Sequence, residues 1–235
     1  MSEIRALLFD VFGTVVDWRS SVIAEGQQLN QHKELNIDWA EFVDAWRGLY
    51  QPSMDAVRTG KRPWTILDNL HRESLDQLMV KFGLVNWSEE ETDHLNRVWH
   101  RLRPWPDAVA GLERLKTGFI ISTCSNGNVA LIVNMAKYSG LPWDMILGAE
   151  VTRHYKPQPQ AYLESARLLG LAPEQCCMVA AHNSDLVAAA SHGLKTAFVA
   201  RPGEYGPSQT QDLAAEHDYT YVAENFLKLA SAMGC

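Results

Sequence analysis

The chain has 235 residues, 46% of them hydrophobic and 21% charged, enough apolar side chain for one core or one core with a sizeable insertion. Its 21 Lys and Arg against 28 Asp and Glu give a net charge of -7, which removes nucleic acid and anionic membrane surfaces as default partners. The four cysteines, Cys124, Cys176, Cys177 and Cys235, lack metal or dithiol spacing, and no window approaches the roughly 20 apolar residues of a spanning helix, so a reduced cytoplasmic setting is expected.

Residues 4–9 (IRALLF) form a short apolar run without alternation, which predicts a parallel strand buried on both faces. It ends on Asp10, Val11, Phe12, Gly13 and Thr14. From Val15 to Arg103 the pattern is helical in four stretches, with no strand pattern. Trp39, Phe42, Trp46 and Leu49 recur at spacings of three or four across 38–50, and Leu67, Leu70, Leu75, Leu78 and Phe82 do nearly the same across 64–82. Pro104 and Pro106 mark the end of this insertion, because proline cannot continue a helix. A helix over 107–115 precedes a strand over 118–123 that ends in Cys124, Ser125, Asn126, Gly127 and Asn128. Helices follow over 129–138 and 160–169. A third strand, 176–181, ends in His182, Asn183, Ser184 and Asp185; a helix over 186–192, a strand over 195–199, the loop ARPGEYGP and a helix over 224–233 complete the chain.

Strands alternating with helices predict an α/β fold with a doubly wound parallel sheet, in which ligands bind beyond the carboxyl ends of the strands. The polar clusters sit at those ends. The expected division is a core of residues 1–14 and 104–235, with a helical insertion over 15–103. Asp10 closes a buried strand, where a carboxylate can serve as a nucleophile; capping a following helix is the alternative. Ser125 and Asn126 precede a helix whose N-terminal N–H groups favour a small anion. Lys156 stands before Pro157, and an ammonium near Asp10 would favour its ionised form. Arg47 lies on a helix face shared with Val43 and Tyr50, placed either to face a site or to cover apolar surface with its stem.

Taken together, DVFGT (10–14), SNG (125–127), YKPQP (155–159) and HNSD (182–185) resemble, in order and spacing, the four motifs of the haloacid dehalogenase superfamily. The chain looks most like its L-2-haloacid dehalogenases. That resemblance implies a Rossmann-like core with a helical cap inserted after the first strand, Asp10 as covalent nucleophile and Lys156 paired with it. It also implies Arg47, in a WR context, and Asn126 as halide receivers, with Thr14 and Ser125 supporting the site and Val11 and Phe12 beside it. Superfamily phosphatases carry a second aspartate two places after the nucleophile and a magnesium-binding acid early in the fourth motif. Here those positions hold Phe12 and Ala181, so no metal and no cofactor are expected, and the phosphatase reading is the alternative.

The fourth motif departs from the dehalogenase pattern SSNxWD, reading AAHNSD. Asp185 is the expected water-orienting group, with Asn183 or His182 assisting, and Ser184 reshapes the pocket where an indole would stand. A donor-rich site of this kind is expected to favour a small, strongly solvated halide such as fluoride. Trp64 and Tyr162 are lesser candidates for pocket walls. His71, His94, His100, His154 and His217 show no metal spacing and are expected as surface or cap residues. The expected partners are a 2-haloacid substrate and a halide ion, and a homodimer is implied by analogy alone.

Overall fold

The computed structural model describes residues 3–235. Strand β1 (Ala6–Phe9) is apolar throughout because both its faces are covered: Leu7 and Phe9 enter one buried cluster, Ala6 and Leu8 the other. The chain then turns through Gly13, whose φ of 87° suits a residue without a Cβ, into β2 (Val16–Asp17). Five helices follow: α1 (Trp18–His32), α2 (Trp39–Gly48), α3 (Tyr50–Arg58), α4 (Leu67–Lys81) and α5 (Glu89–Asn96). A 3-10 turn at Arg97–His100 leads into β3 (Arg103–Pro104), which pairs antiparallel with β2.

That ladder corrects the expectation of a strand-free stretch over 15–103. Two residues a side, Val16 opposite Pro104 and Asp17 opposite Arg103, are too few to leave an alternation pattern. The helix expected over 38–50 also divides, since α2 ends at Gly48 and α3 opens at Tyr50. Asp38 caps α2 by accepting from the N–H groups of Ala40 and Glu41. The aromatic stripe does face inward: the Phe42 ring lies 4.8 Å from Trp39 and 5.8 Å from Trp46, and Trp46 meets Trp99 at 5.3 Å.

The remainder runs α6 (Ala108–Lys116), β4 (Ile120–Thr123), α7 (Val129–Ser139), α8 (Ala149–Thr152), α9 (Pro159–Leu168), a 3-10 turn at Pro173–Gln175, β5 (Cys176–Ala180), α10 (Asn183–Ser191), β6 (Lys195–Val199), β7 (Tyr221–Ala223) and α11 (Phe226–Ala232). The sheet order is β4-β1-β5-β6-β7, with every pair parallel. Edge strand β7 was not expected; it is three residues long and none of them is buried. From β1 the chain reaches β4 on one side and β5 on the other, so a crevice opens at the carboxyl end of β1, where strand order reverses. The adjacent Cys176 and Cys177 point to opposite faces of β5, and all four cysteines are free. Among the described residues no helix is long and apolar enough to cross a membrane.

Candidate active site

Asp10 extends β1 by one ladder bond, its N–H donating to the Val179 carbonyl at 3.0 Å. Asp10 is 7% exposed, and its carboxylate is held from three sides. Oδ2 accepts from the Thr14 hydroxyl at 2.7 Å and lies 3.1 Å from Nδ1 of His182. Oδ1 accepts from Nζ of Lys156 at 3.0 Å. Burial works to raise the Asp10 pKa, but Lys156, His182 and Thr14 outweigh it and hold the carboxyl far below its usual range. Asp10 is therefore ionised at any working pH, and no helix starts at its side chain to be capped.

Each partner is itself fixed. Thr14 accepts from the N–H of Ala181 at 2.9 Å, which ties the turn after β1 to the end of β5. Lys156 donates a second time, to Asp185 Oδ2, while Asp185 Oδ1 accepts from the Tyr162 hydroxyl at 2.6 Å. The Lys156 backbone is held too: its N–H donates to Asn126 Oδ1 at 2.8 Å and its carbonyl accepts from Arg58. Burial opposes the Lys156 charge, yet Asp10 and Asp185 raise its pKa above the usual lysine value. Asp185 falls in the first turn of α10, where the helix dipole favours a carboxylate.

His182 precedes α10 and spans two acids. Beyond its contact with Asp10, its Nε2 lies 3.1 and 3.0 Å from the two carboxylate oxygens of Glu204. Burial would depress its pKa, but Glu204 and Asp10 push it well above the usual histidine value, which favours the charged ring. Glu204 also accepts from the Trp18 indole N–H at 2.9 Å.

These groups border a cavity of about 410 Å³. Phe12, Tyr162, His182 and Ser184 line it from the sheet side, and Arg47, Tyr50 and Arg58 from α2 and α3. The Arg47 guanidinium lies over the Tyr50 ring at 4.1 Å and the Trp18 ring at 5.2 Å, so it faces the cavity rather than snorkelling to water. Asn126 lines the same space, its Nδ2 donating to the Tyr50 hydroxyl at 3.1 Å.

Four expected site residues lie elsewhere. Val11 is packed in the core and does not line the cavity. Ser125 is buried behind the wall, its Oγ accepting from the Gly127 N–H at 3.1 Å and its carbonyl from the Ala149 N–H at 2.8 Å. The anion site expected at the start of α7 is already answered, since the Val129 N–H donates to Glu150 at 2.7 Å. Trp64 stacks on Tyr155 at 4.9 Å, away from the cavity lining. Asn183 turns away as well: it donates to Asp212 and the Ala214 carbonyl and accepts from the Glu216 N–H and the Tyr219 hydroxyl. Of the histidines expected as surface or cap residues, His71 and His100 lie within the 15–103 insertion and are buried there. His71 is buried against Trp99 at 4.6 Å, which lowers its pKa to about 3, and His100 joins Asp68 to Asn134.

The donor set does not fit a magnesium ion. Asp10 and Asp185 share one ammonium, Glu204 faces His182, and Ala181 offers no side-chain oxygen, whereas Mg²⁺ demands near-octahedral oxygens. Among the described residues no group of three or more His, Cys, Asp or Glu side chains is arranged to hold a metal.

The family profile of haloacid dehalogenase-like hydrolases matches residues 4–193. The chain belongs to that family. Within it, the solved L-2-haloacid dehalogenase PA0810 is 50% identical, with 98% of each chain covered and a TM-score of 0.95. The defluorinating L-2-haloacid dehalogenase Rha0230 is 46% identical over 99% of this chain and 96% of that one, with a TM-score of 0.96. Among characterised relatives, (S)-2-haloacid dehalogenase 4A of Burkholderia cepacia is 28% identical over 98% of this chain and 100% of its own. Hexitol phosphatase A of Escherichia coli (strain K12) is 32% identical over 74% of this chain and 73% of its own.

In this haloacid dehalogenase-like hydrolase several site residues escaped the sequence reading. Tyr50 was seen only as a neighbour of Arg47, and Arg58 and Tyr205 not at all, although each lines the cavity. Glu204 lies in ARPGEYGP, a stretch whose glycines and prolines mask it as a loop. Its signal was positional: the loop follows β6, whose carboxyl end lies on the same sheet edge as Asp10. Arg201, in that loop, donates to the Thr14 carbonyl at 2.8 Å and forks onto Asp107, bracing the turn after β1.

Proposed function

We propose that this hydrolase cleaves the carbon–halogen bond of short 2-haloalkanoic acids, such as haloacetates and L-2-halopropionate, to 2-hydroxy acids. The reaction inverts C2 and passes through an ester on Asp10. One observation carries the reading: the buried Asp10 carboxylate faces the cavity with one oxygen saturated and the other not. Oδ2 is met by Thr14 and His182, whereas among the described residues Oδ1 meets Lys156 alone and keeps a lone pair. Oδ1 is therefore the attacking atom.

Residues 15–103 act as the cap over a core of 1–14 and 104–235, and Arg47 and Asn126 receive the departing halide. A halide is a weak base and needs no proton to leave. The substrate carboxylate lies toward Asn126 and Ser184, the latter in the first turn of α10 where the dipole favours an anion. Displacement forms the Oδ1–C2 bond as the carbon–halogen bond breaks with its electron pair. Water oriented by Asp185 then attacks Cγ of Asp10, the Cγ–Oδ1 bond breaks, and the alkoxide takes up a proton beside Lys156. One proton is released overall, and the water oxygen stays on Asp10.

The second reading, phosphate ester hydrolysis, is favoured by the match to hexitol phosphatase A. Opposed to it is Phe12, which lines the cavity where an alcohol leaving group needs an acid. Incubation with each enantiomer of 2-chloropropionate in EDTA separates the two. Chloride from the L form alone, with heavy oxygen from water entering Asp10 in a single turnover, is expected. Magnesium-dependent phosphate release from phosphomonoesters without halide release would overturn the proposal.

A further inference from the structure

Glu204 is 1% exposed and lies well outside the four sequence motifs, yet the site is built around it. Its carboxylate accepts from the Trp18 indole and lies within 3.1 Å of His182 through both oxygens. It also fills the space left by Gly13, where a Cβ would come 2.0 Å from Oε1. His182 stands between this carboxylate and Asp10 Oδ2, where the Thr14 hydroxyl also donates. Its other charged or titratable surroundings are the Tyr205 ring at 6.5 Å and, around the same cavity, Arg47, Lys156, Asp185 and Asp212.

We propose that Glu204 is a positioning residue that keeps His182 protonated during ester hydrolysis, so that His182 and Thr14 together form the oxyanion site on Asp10 Oδ2. This rests on the dehalogenase reading above. In the free enzyme two carboxylates touch the imidazole. Once Oδ1 has been alkylated Asp10 carries no charge, and Glu204 is the one carboxylate left in contact with the ring. Attack of water on Cγ then moves a pair of electrons onto Oδ2, between the Thr14 hydroxyl and the His182 Nδ1–H. When that pair returns, the Cγ–Oδ1 bond breaks and the product leaves. A donor held by a fixed counter-charge needs no rearrangement at that moment.

Glu204→Gln keeps the volume and the acceptor for Trp18 but removes the charge. With L-2-chloropropionate the variant should release a burst of about one chloride per site and then stall, with hydrolysis slowed about 10²–10³-fold near pH 8, the cost of one oxyanion donor. The ester should be visible as added mass on the peptide bearing Asp10. Toward pH 5 the rate should recover in part, because a buried imidazole without either counter-charge regains its proton only below its ordinary value of about 6.5. His182→Gln, neutral at every pH, should show the slow step without acid recovery, and it serves as the test if Glu204→Gln does not fold. Steady turnover and a pH profile equal to the parent in Glu204→Gln, or acid recovery in His182→Gln, would overturn the inference alone. A parent enzyme that never labels Asp10 would overturn the dehalogenase reading and this inference with it.

Discussion

Lys156→Met tests the electrostatic centre of the site. The ammonium lies 3.0 Å from Asp10 Oδ1, an attraction of about 5 kcal/mol at an effective dielectric of roughly 20, and it also serves Asp185. Removing one partner from such a buried set typically costs about 3–5 kcal/mol, because the remaining charges stay out of water. With Lys156 gone, His182 is the one cation left against Asp10 and Asp185 has lost its ammonium, so the pair relieves the imbalance by taking up a proton and one carboxylate should titrate above the ordinary value. In the parent, the lowered pKa of Asp10 gives stability that is present above about pH 4 and lost only as pH falls through the folded value. In the variant the sign reverses for the raised group, whose contribution is lost as pH rises. Urea unfolding should therefore show a larger deficit at about pH 8 than at about pH 5. Halide release should fall at least about 10²-fold, with its acid limb moved toward neutrality. Equal deficits at both pH values and an unmoved acid limb would refute the claim that Lys156 holds Asp10 ionised.

Thr14→Val strips a donor from Oδ2 and leaves the Ala181 N–H without its acceptor, so kcat should fall about 10²-fold and stability by about 1–3 kcal/mol, with Thr14→Ser restoring most of both. Arg47→Lys keeps the charge but loses the flat contact with Tyr50 and Trp18; KM for L-2-chloropropionate should rise roughly tenfold, and parent-like kinetics would remove Arg47 from the halide site. Asn183→Ala should cost about 2–4 kcal/mol in urea unfolding, since its four hydrogen bonds secure the 212–219 segment, while kcat/KM stays within about threefold of the parent. Chloroacetate should be consumed faster than fluoroacetate, because both nitrogens of His182 are engaged by Asp10 and Glu204 and so are not free to donate to a departing fluoride; equal ion-electrode rates would contradict this.

What the sequence disclosed and what it concealed follow one physical division. Asp10 was marked locally, as a polar residue at the end of a doubly buried strand, whereas Lys156 and Asp185 were marked by the order and spacing of the motifs that hold them. The parallel sheet was legible locally as well, since runs such as CCMVA can be satisfied only by apolar cover on both faces. The direction of a side chain within a polar cluster is set by long-range partners and leaves no local mark. His182 and Asn183 are neighbours in sequence, yet Glu204 and Asp10 draw one into the cavity, while Asp212, Glu216 and Tyr219 draw the other away. Neither Glu204 nor the 212–219 segment belongs to a periodic element before Tyr221, so nothing in spacing or hydropathy could have said which neighbour turns inward. Ser125 makes the same point from the other side, for its hydroxyl is spent on the Gly127 N–H and shapes the turn that delivers Asn126 to the cavity. Motif residues in this fold therefore divide into those that meet the cavity and those that hold its loops, and only the partners of each polar atom separate the two.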